Sequence, residues 1–285
     1  LLIVFYILGI WIPLLLTLGL GILFSYFLWD TEEKGVTFLI FSILGLLLIV
    51  FVLLPISELF YAALPDIQTA LNDKKAINSI LISISAALSA TLIGLFFGIP
   101  LSYVLARKDF PGKEFVEGII DLPMVVPHTV AGIALLVVFG RHGSLGETLN
   151  NAGINFVDAF PGIVIAMLFV SIPFIVNQLR EGFEDIDPRL EKVAMSLGAN
   201  RRKTFFTVSL PLIKRNILSG SVMGWARAIS EFGAVVIIAY FPISAPVYIY
   251  ETFLRRGLFQ ARPIAALLLL VSLTAFIIER TLTRR

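Results

Sequence analysis

The chain has no cysteine and only two histidines, His128 and His142. The missing cysteine excludes disulfides, thiol nucleophiles and cysteine-held iron–sulfur clusters. Neither histidine has a partner at metal-ligand spacing, so no metal site is expected. Charge is scarce too. Asp, Glu, Lys and Arg make up 15% of the 285 residues, and a net charge of +2 is too small to imply a nucleic-acid partner. No Gly-x-x-x-x-Gly-Lys-Ser/Thr loop occurs. The nearest fragment, Pro111-Gly112-Lys113, lacks the leading glycine and the hydroxyl residue, so the backbone cradle for nucleotide phosphates is missing. There is no Gly-x-Ser-x-Gly elbow, and the clustered polar catalysts that a membrane enzyme needs in its spans are sparse. The chain is expected to be no enzyme and to hold no cofactor of its own.

What is abundant is apolar: 58% of the residues are hydrophobic. Soluble domains rarely have this composition, so the expected fold is an all-α integral membrane protein, a single transmembrane domain over 1–285. About seven spans are predicted, each long enough to cross the hydrocarbon, which takes roughly 20 helical residues. They cover residues 1–29, 36–56, 76–106, 118–140, 159–179, 213–241 and 263–283. The first stretch has no short apolar core followed by a small-residue cleavage site, so it reads as a span and not as a signal peptide. Residues 30–35 form a charged turn, and Trp11 and Trp29 are suited to the lipid interface. No fixed-period repeat and no inverted halves are visible, which counts against many secondary transporter folds.

Lys and Arg near span ends set the orientation. The 107–117 loop, the 180–212 loop and the tail with Arg280, Arg284 and Arg285 are basic, and even numbers of spans separate them. All three are assigned to the cytoplasm, with the C-terminus inside. The 242–262 loop then lies outside although it carries Arg255, Arg256 and Arg262 against one acid, Glu251. Either the other loops dominate, or this external rim is basic because it meets an acidic surface or an arriving anion.

The longest polar interruption late in the chain is residues 187–211. Asp187 and Pro188 suit the start of a helix. Leu190, Val193, Ala194 and Leu197 fall at i, i+3, i+4 and i+7, one apolar stripe, with Glu191 and Lys192 largely off it. Gly198 suits a left-handed helix end, and Asn200 caps a second helix that Pro211 breaks or kinks. A short amphipathic helix between spans either lies in the lipid interface or fits a groove on a soluble partner.

Two spans carry unusual chemistry. The fourth holds Pro123 and Pro127 with His128 and Thr129 beside them, reading either as a pathway-lining helix or as a structural kink. The sixth holds Arg227, Ser230 and Glu231. Arg227 and Glu231 stand four apart on one helical face, which makes them a structural ion pair or part of a gate.

These stretches resemble one family. Permease subunits of binding-protein-dependent ABC importers carry an "EAA" loop: Glu-Ala-Ala, three residues, Gly, nine residues, then Ile-x-Leu-Pro. Aligned on Gly198, this chain has Ala194 at the second Ala, Val208 at the Ile, and Leu210 and Pro211 matching. Lys192 stands at the family's Glu, Val193 at the first Ala, and Glu191 lies one place early. The runs 121–136 and 231–236 look like the sulfate/molybdate/tungstate branch, most of all its archaeal molybdate/tungstate members.

The resemblance implies a six-span core over residues 36–285, with 1–35 an addition. It implies a homodimer with the pathway between two copies. Two cytoplasmic ATPase subunits, which bind ATP and Mg, dock on the 187–211 loop. An external binding protein delivers the oxyanion. The implied localisation is the cell membrane, multi-pass. Alternatives are a sulfate or other anion permease of the same class, and a secondary transporter or channel that needs no ATPase.

Overall fold

The structure, a computed structural model, describes residues 36–283 together with Gly19 and Ile22. The expected span 1–29, the turn 30–35 and the terminal Arg284 and Arg285 lie outside the described residues, as does the side chain of Arg280. Among the described residues every regular element is helical. The main ones are α1 (Val36–Ala63), α2 (Lys74–Arg107), α3 (Lys113–Val125), α4 (His128–Phe139), α5 (Phe160–Glu184), α6 (Pro188–Ser196), α7 (Lys214–Ile229), α8 (Gly233–Ile238), α9 (Ala245–Arg256) and α10 (Leu258–Thr283).

Four stretches are individually long and apolar enough to cross a membrane: Ile40–Asn72, Lys74–Arg107, Phe160–Glu184 and Leu258–Ile278. They correspond to the expected spans 36–56, 76–106, 159–179 and 263–283; the first three are longer than predicted, and the last has the predicted length but starts five residues earlier. Prolines do not break them. Pro55, Pro100, Pro173 and Pro263 all sit inside continuous helix.

Two expected spans are in pieces. Residues 118–140 form α3 and α4, bent by 115°. Pro127 has no N–H to donate, and it holds the preceding Val126 in an extended conformation at φ −69°, ψ 127°. Residues 213–241 break at 230–232 into α7 and α8. Here the Glu231 carboxylate accepts the backbone N–H of Ala234 at 2.8 Å, a local cap that replaces a ladder bond. The 242–262 stretch, expected as a loop, is largely α9. Arg255 and Arg256 in its last turn complement the helix dipole, and Gly257 at φ +84° ends it.

The chain divides into two compact units. One contains the described residues up to Asp73 together with Thr252–Leu267, and the other Lys74–Glu251 with the described residues from Leu268 onward. In the first, α1 exposes Phe41, Leu47, Leu48 and Phe51. A helix apolar all round with an exposed surface is suited to lipid.

In the second unit α5 is the central helix, packed against α2, α7 and α3. Ile175 of α5 is fully buried between two glycine pairs, Gly94 and Gly98 of α2 and Gly220 and Gly224 of α7. A Cβ at Gly94 would lie 2.6 Å from Ile175 Cδ1, and one at Gly224 would collide with Ile175 Cγ1. Both pairs are Gly-x-x-x-Gly, the spacing that lets transmembrane helices approach closely, where lipid tails give no hydrophobic drive to association. The α4 and α8 helices meet in the same way. A Cβ at Gly132 would lie 2.9 Å from the Ala234 backbone, and one at Gly233 2.7 Å from His128 Cβ.

Candidate functional site

The polar loop folds much as its residues dictate. The Asp187 side chain accepts the Arg189 N–H at 2.8 Å, which starts α6. Gly198 is left-handed at φ +92° and ends it. Gly198 N donates to Met195 O at 3.0 Å and Ala199 N to Ala194 O at 3.1 Å, the paired bonds of a Schellman turn. Asn200 then caps the following turn by accepting from Lys203 N at 2.8 Å. The chain returns through a single π turn at Phe205–Ser209, and Pro211 stands in the short turn before α7.

The two faces of α6 differ. Leu190, Val193 and Leu197 are exposed, Leu197 to 84%, and Ala194 is half-buried among them. Glu191 points the other way and is 8% exposed. It accepts from Arg107 Nε at 3.0 Å and Ser209 Oγ at 2.9 Å on one oxygen, and from Tyr103 Oη at 3.2 Å on the other. Arg107 also donates from Nη1 to Phe183 O at 2.6 Å and from Nη2 to Ile186 O at 3.3 Å. One guanidinium therefore ties the end of α2, the carbonyls at the end of α5, and α6. Tyr103 packs edge-on against Phe183 and Phe205, which floors the joint with aromatic rings. Leu210 packs inward beside Phe183, Ile186 and Ile213, while Pro211 is exposed. The loop residues thus separate into an open apolar face and a buried polar joint.

The second cluster lies where the two broken spans meet. Val126 and Pro127 place His128 in the first turn of α4, against the glycine that opens α8. Arg227 reaches across from the last turn of α7. Its Nη2 donates to Glu231 Oε2 at 2.9 Å and lies 3.0 Å from His128 Nε2; its Nη1 lies 3.3 Å from Ser230 Oγ. His128 Nδ1 is 3.4 Å from Glu231 Oε2. A guanidinium only donates, so the imidazole nitrogen that takes part must accept. The Glu231 side chain is 1% exposed, that of Arg227 21%, and that of His128 49%. His128, Arg227, Ser230 and Glu231 are thus brought together. Thr129 is exposed on the same turn of α4, Pro127 caps α4, and Pro123 is buried in α3; none of these three joins the bonded cluster. Among the described residues no group of His, Asp and Glu could hold a metal ion.

The expected basic rim is less bare than its sequence suggests. Arg256 lines a cavity of about 360 Å³ together with Asp66 and Asp73, acids from the segment after α1. Arg262 lies over the Phe259 ring at 4.3 Å. Arg255 is exposed at the end of α9.

The described residues, all helical with broken, charged spans and an amphipathic surface helix, define a class, the multi-pass membrane protein. Solved structures share the fold. A chain of a bacterial alginate ABC transporter, solved in complex with its alginate-bound periplasmic protein, matches with a TM-score of 0.66 at 18% identity, over 86% of this chain and 95% of that one. The chain belongs to the family of binding-protein-dependent transport system inner membrane components, whose model matches residues 91–285. It is 44% identical over 256 residues to the molybdate/tungstate transport system permease protein WtpB of Thermococcus kodakarensis, covering 89% of this chain and 98% of that one. It is 46% identical over 248 residues to WtpB of Pyrococcus furiosus, covering 86% and 94%. The family resemblance first seen in the 121–136, 187–211 and 231–236 stretches therefore extends along most of the chain, a multi-pass membrane transport component.

Two features were missed in the sequence. The glycine pairs around Ile175 were legible as two Gly-x-x-x-Gly motifs. The Arg107–Glu191 joint had no such signal, because its partners stand 84 residues apart.

Proposed function

We propose that this chain is the permease subunit of an ABC importer for molybdate or tungstate. Its likeness to the WtpB proteins over nearly their whole length carries the reading. Two copies form the pathway. The exposed Leu190, Val193, Ala194 and Leu197 face of α6 enters a groove on each of two cytoplasmic ATPase subunits, which bind the ATP and Mg. The Gly198 turn marks its tight end. The C-terminus lies in the cytoplasm, and an external binding protein delivers the oxyanion to the opposite face. This chain supplies path and lever and hydrolyses nothing itself.

The geometry suits the lever. Motion imposed on α6 passes through Glu191 and Arg107 into α2 and α5 at once. The test is reconstitution of the chain in vesicles with its ATPase subunits and binding protein. ATP-dependent uptake of labelled tungstate or molybdate, unmoved by excess sulfate, is expected. Uptake displaced by sulfate would assign the chain to sulfate, and uptake that needs no ATP would make it a secondary transporter.

A further inference from the structure

We propose that Arg227, with Ser230, is a contact point for the transported oxyanion within the permease, and that Glu231 is a resident counter-anion that keeps this contact weak. The proposal rests on the reading of the chain as an oxyanion importer subunit.

Moving an oxyanion between apolar spans requires a cation or strong donors, because desolvating the charge is otherwise prohibitive. Arg227 is placed for this. It lies thirteen residues along α7 from Lys214, about 20 Å at the helical rise. It stands where α7 breaks and where α4 begins. The Arg227 and His128 side of the cluster is open and the carboxylate side is covered. Arg227 and His128 keep 21% and 49% of their side-chain surface, whereas Glu231 keeps 1%.

Glu231 is also held in place, since its Oε1 accepts from the Ala234 backbone while Oε2 meets Arg227. That contact uses Nη2 alone. The Nη1 edge donates to the exposed Ser230 hydroxyl at 3.3 Å, a long bond to an uncharged acceptor. The planar fork of a guanidinium matches an oxyanion, and a bond between two opposite charges is stronger than one to a neutral hydroxyl. An arriving oxyanion therefore takes the Nη1 edge, with the Ser230 hydroxyl exchanging its 2.9 Å bond to the Arg227 carbonyl for one to the anion. The fixed carboxylate then acts against tight capture. A pathway contact must be favourable enough to enter and weak enough to leave. An unopposed arginine would hold a dianion, and Glu231, 2.9 Å away, prevents it.

Glu231→Gln is the decisive variant, because the amide oxygen still accepts from Ala234 while the charge is gone. Tungstate binding is measured on the purified permease–ATPase complex without binding protein, and uptake on the reconstituted transporter. The Glu231→Gln complex is expected to bind tungstate about tenfold more tightly than wild type and to import more slowly. Adding Arg227→Gln to it should abolish the binding and cut uptake per ATP about tenfold. That neutral pair leaves no buried charge, so it also keeps the test valid if Glu231→Gln alone does not fold. Unchanged tungstate affinity in Glu231→Gln, or wild-type uptake per ATP in the double variant, would overturn the site while wild-type uptake still supports the importer. Absence of tungstate and molybdate uptake by the wild-type complex would overturn both.

Discussion

Glu191 of the surface helix α6 and Arg107 at the end of α2 form an ion pair at 3.0 Å, with side chains only 10% and 11% exposed. The contact joins residues that the sequence keeps far apart, and it turns α6 so that its acid faces the protein and its leucines face outward. Breaking one side of such a pair leaves a charge without compensation in a mostly dry place, which costs about 3–5 kcal/mol, whereas removing both is milder. Glu191→Gln and Arg107→Gln should each lower the folded yield of the permease, and the double variant should recover part of it. A double-mutant cycle on melting temperature checks this. Additive losses would mean that the pair contributes no coupling.

The turn at Gly198 isolates the role of α6 in docking. A side chain there meets no atom within 4 Å, but φ is +92°. Gly198→Val therefore acts through backbone strain of about 1–2 kcal/mol and through whatever covers the turn from outside. Membrane insertion should persist while ATPase co-purification and uptake fall, with Gly198→Asn closer to wild type. Normal uptake by the valine variant would remove the turn from the docking surface.

Packing around Ile175 makes a compensation test possible. Gly224→Ala pushes a methyl against Ile175, which is itself held by Gly94 of α2. Overpacking of this kind costs about 1–3 kcal/mol. Ile175→Ala in the same chain should return part of that loss, although the same change alone is destabilising. Thermal unfolding in detergent measures both. If Ile175→Ala adds to the damage, the close approach of α7 and α5 is not what Gly224 protects.

The absence of native cysteine makes topology directly readable. Leu197→Cys should react with an impermeant thiol reagent only from the cytoplasmic side, and Arg256→Cys only from outside. Labelling of both from one side would overturn the orientation assigned from Lys and Arg.

Rim charge is the remaining point. Arg256 shares its cavity with Asp66 and Asp73, which offset the positive field that Arg255, Arg256 and Arg262 would otherwise project. Changing Arg255 and Arg256 to Gln should therefore slow binding-protein-stimulated uptake only modestly at low salt, and not at all at high salt. A large loss that persists in high salt would indicate direct contacts rather than a field.

Local chemistry was decisive where neighbours in sequence are neighbours in space. The apolar runs, the Asp187 and Asn200 caps, the left-handed Gly198 and the exposed α6 stripe could be read directly, because helix period and capping depend on residues within one turn. The family resemblance came from the same short stretches. Tertiary structure decided what depends on distant partners. Pro127 and the Glu231 cap break residues 118–140 and 213–241 locally, but only the fold decides that the half-helices pack together through Gly132, Ala234 and Gly233. A sequence reading of Arg227 and Glu231 placed them on one continuous helix. In the fold Glu231 leaves the helix ladder to cap α8, and His128, 99 residues from Arg227, completes the cluster. Glu191 likewise changed from a residue merely off the apolar stripe to the centre of a buried joint, since burial and pairing belong to the assembled helices and not to the spacing within any one of them.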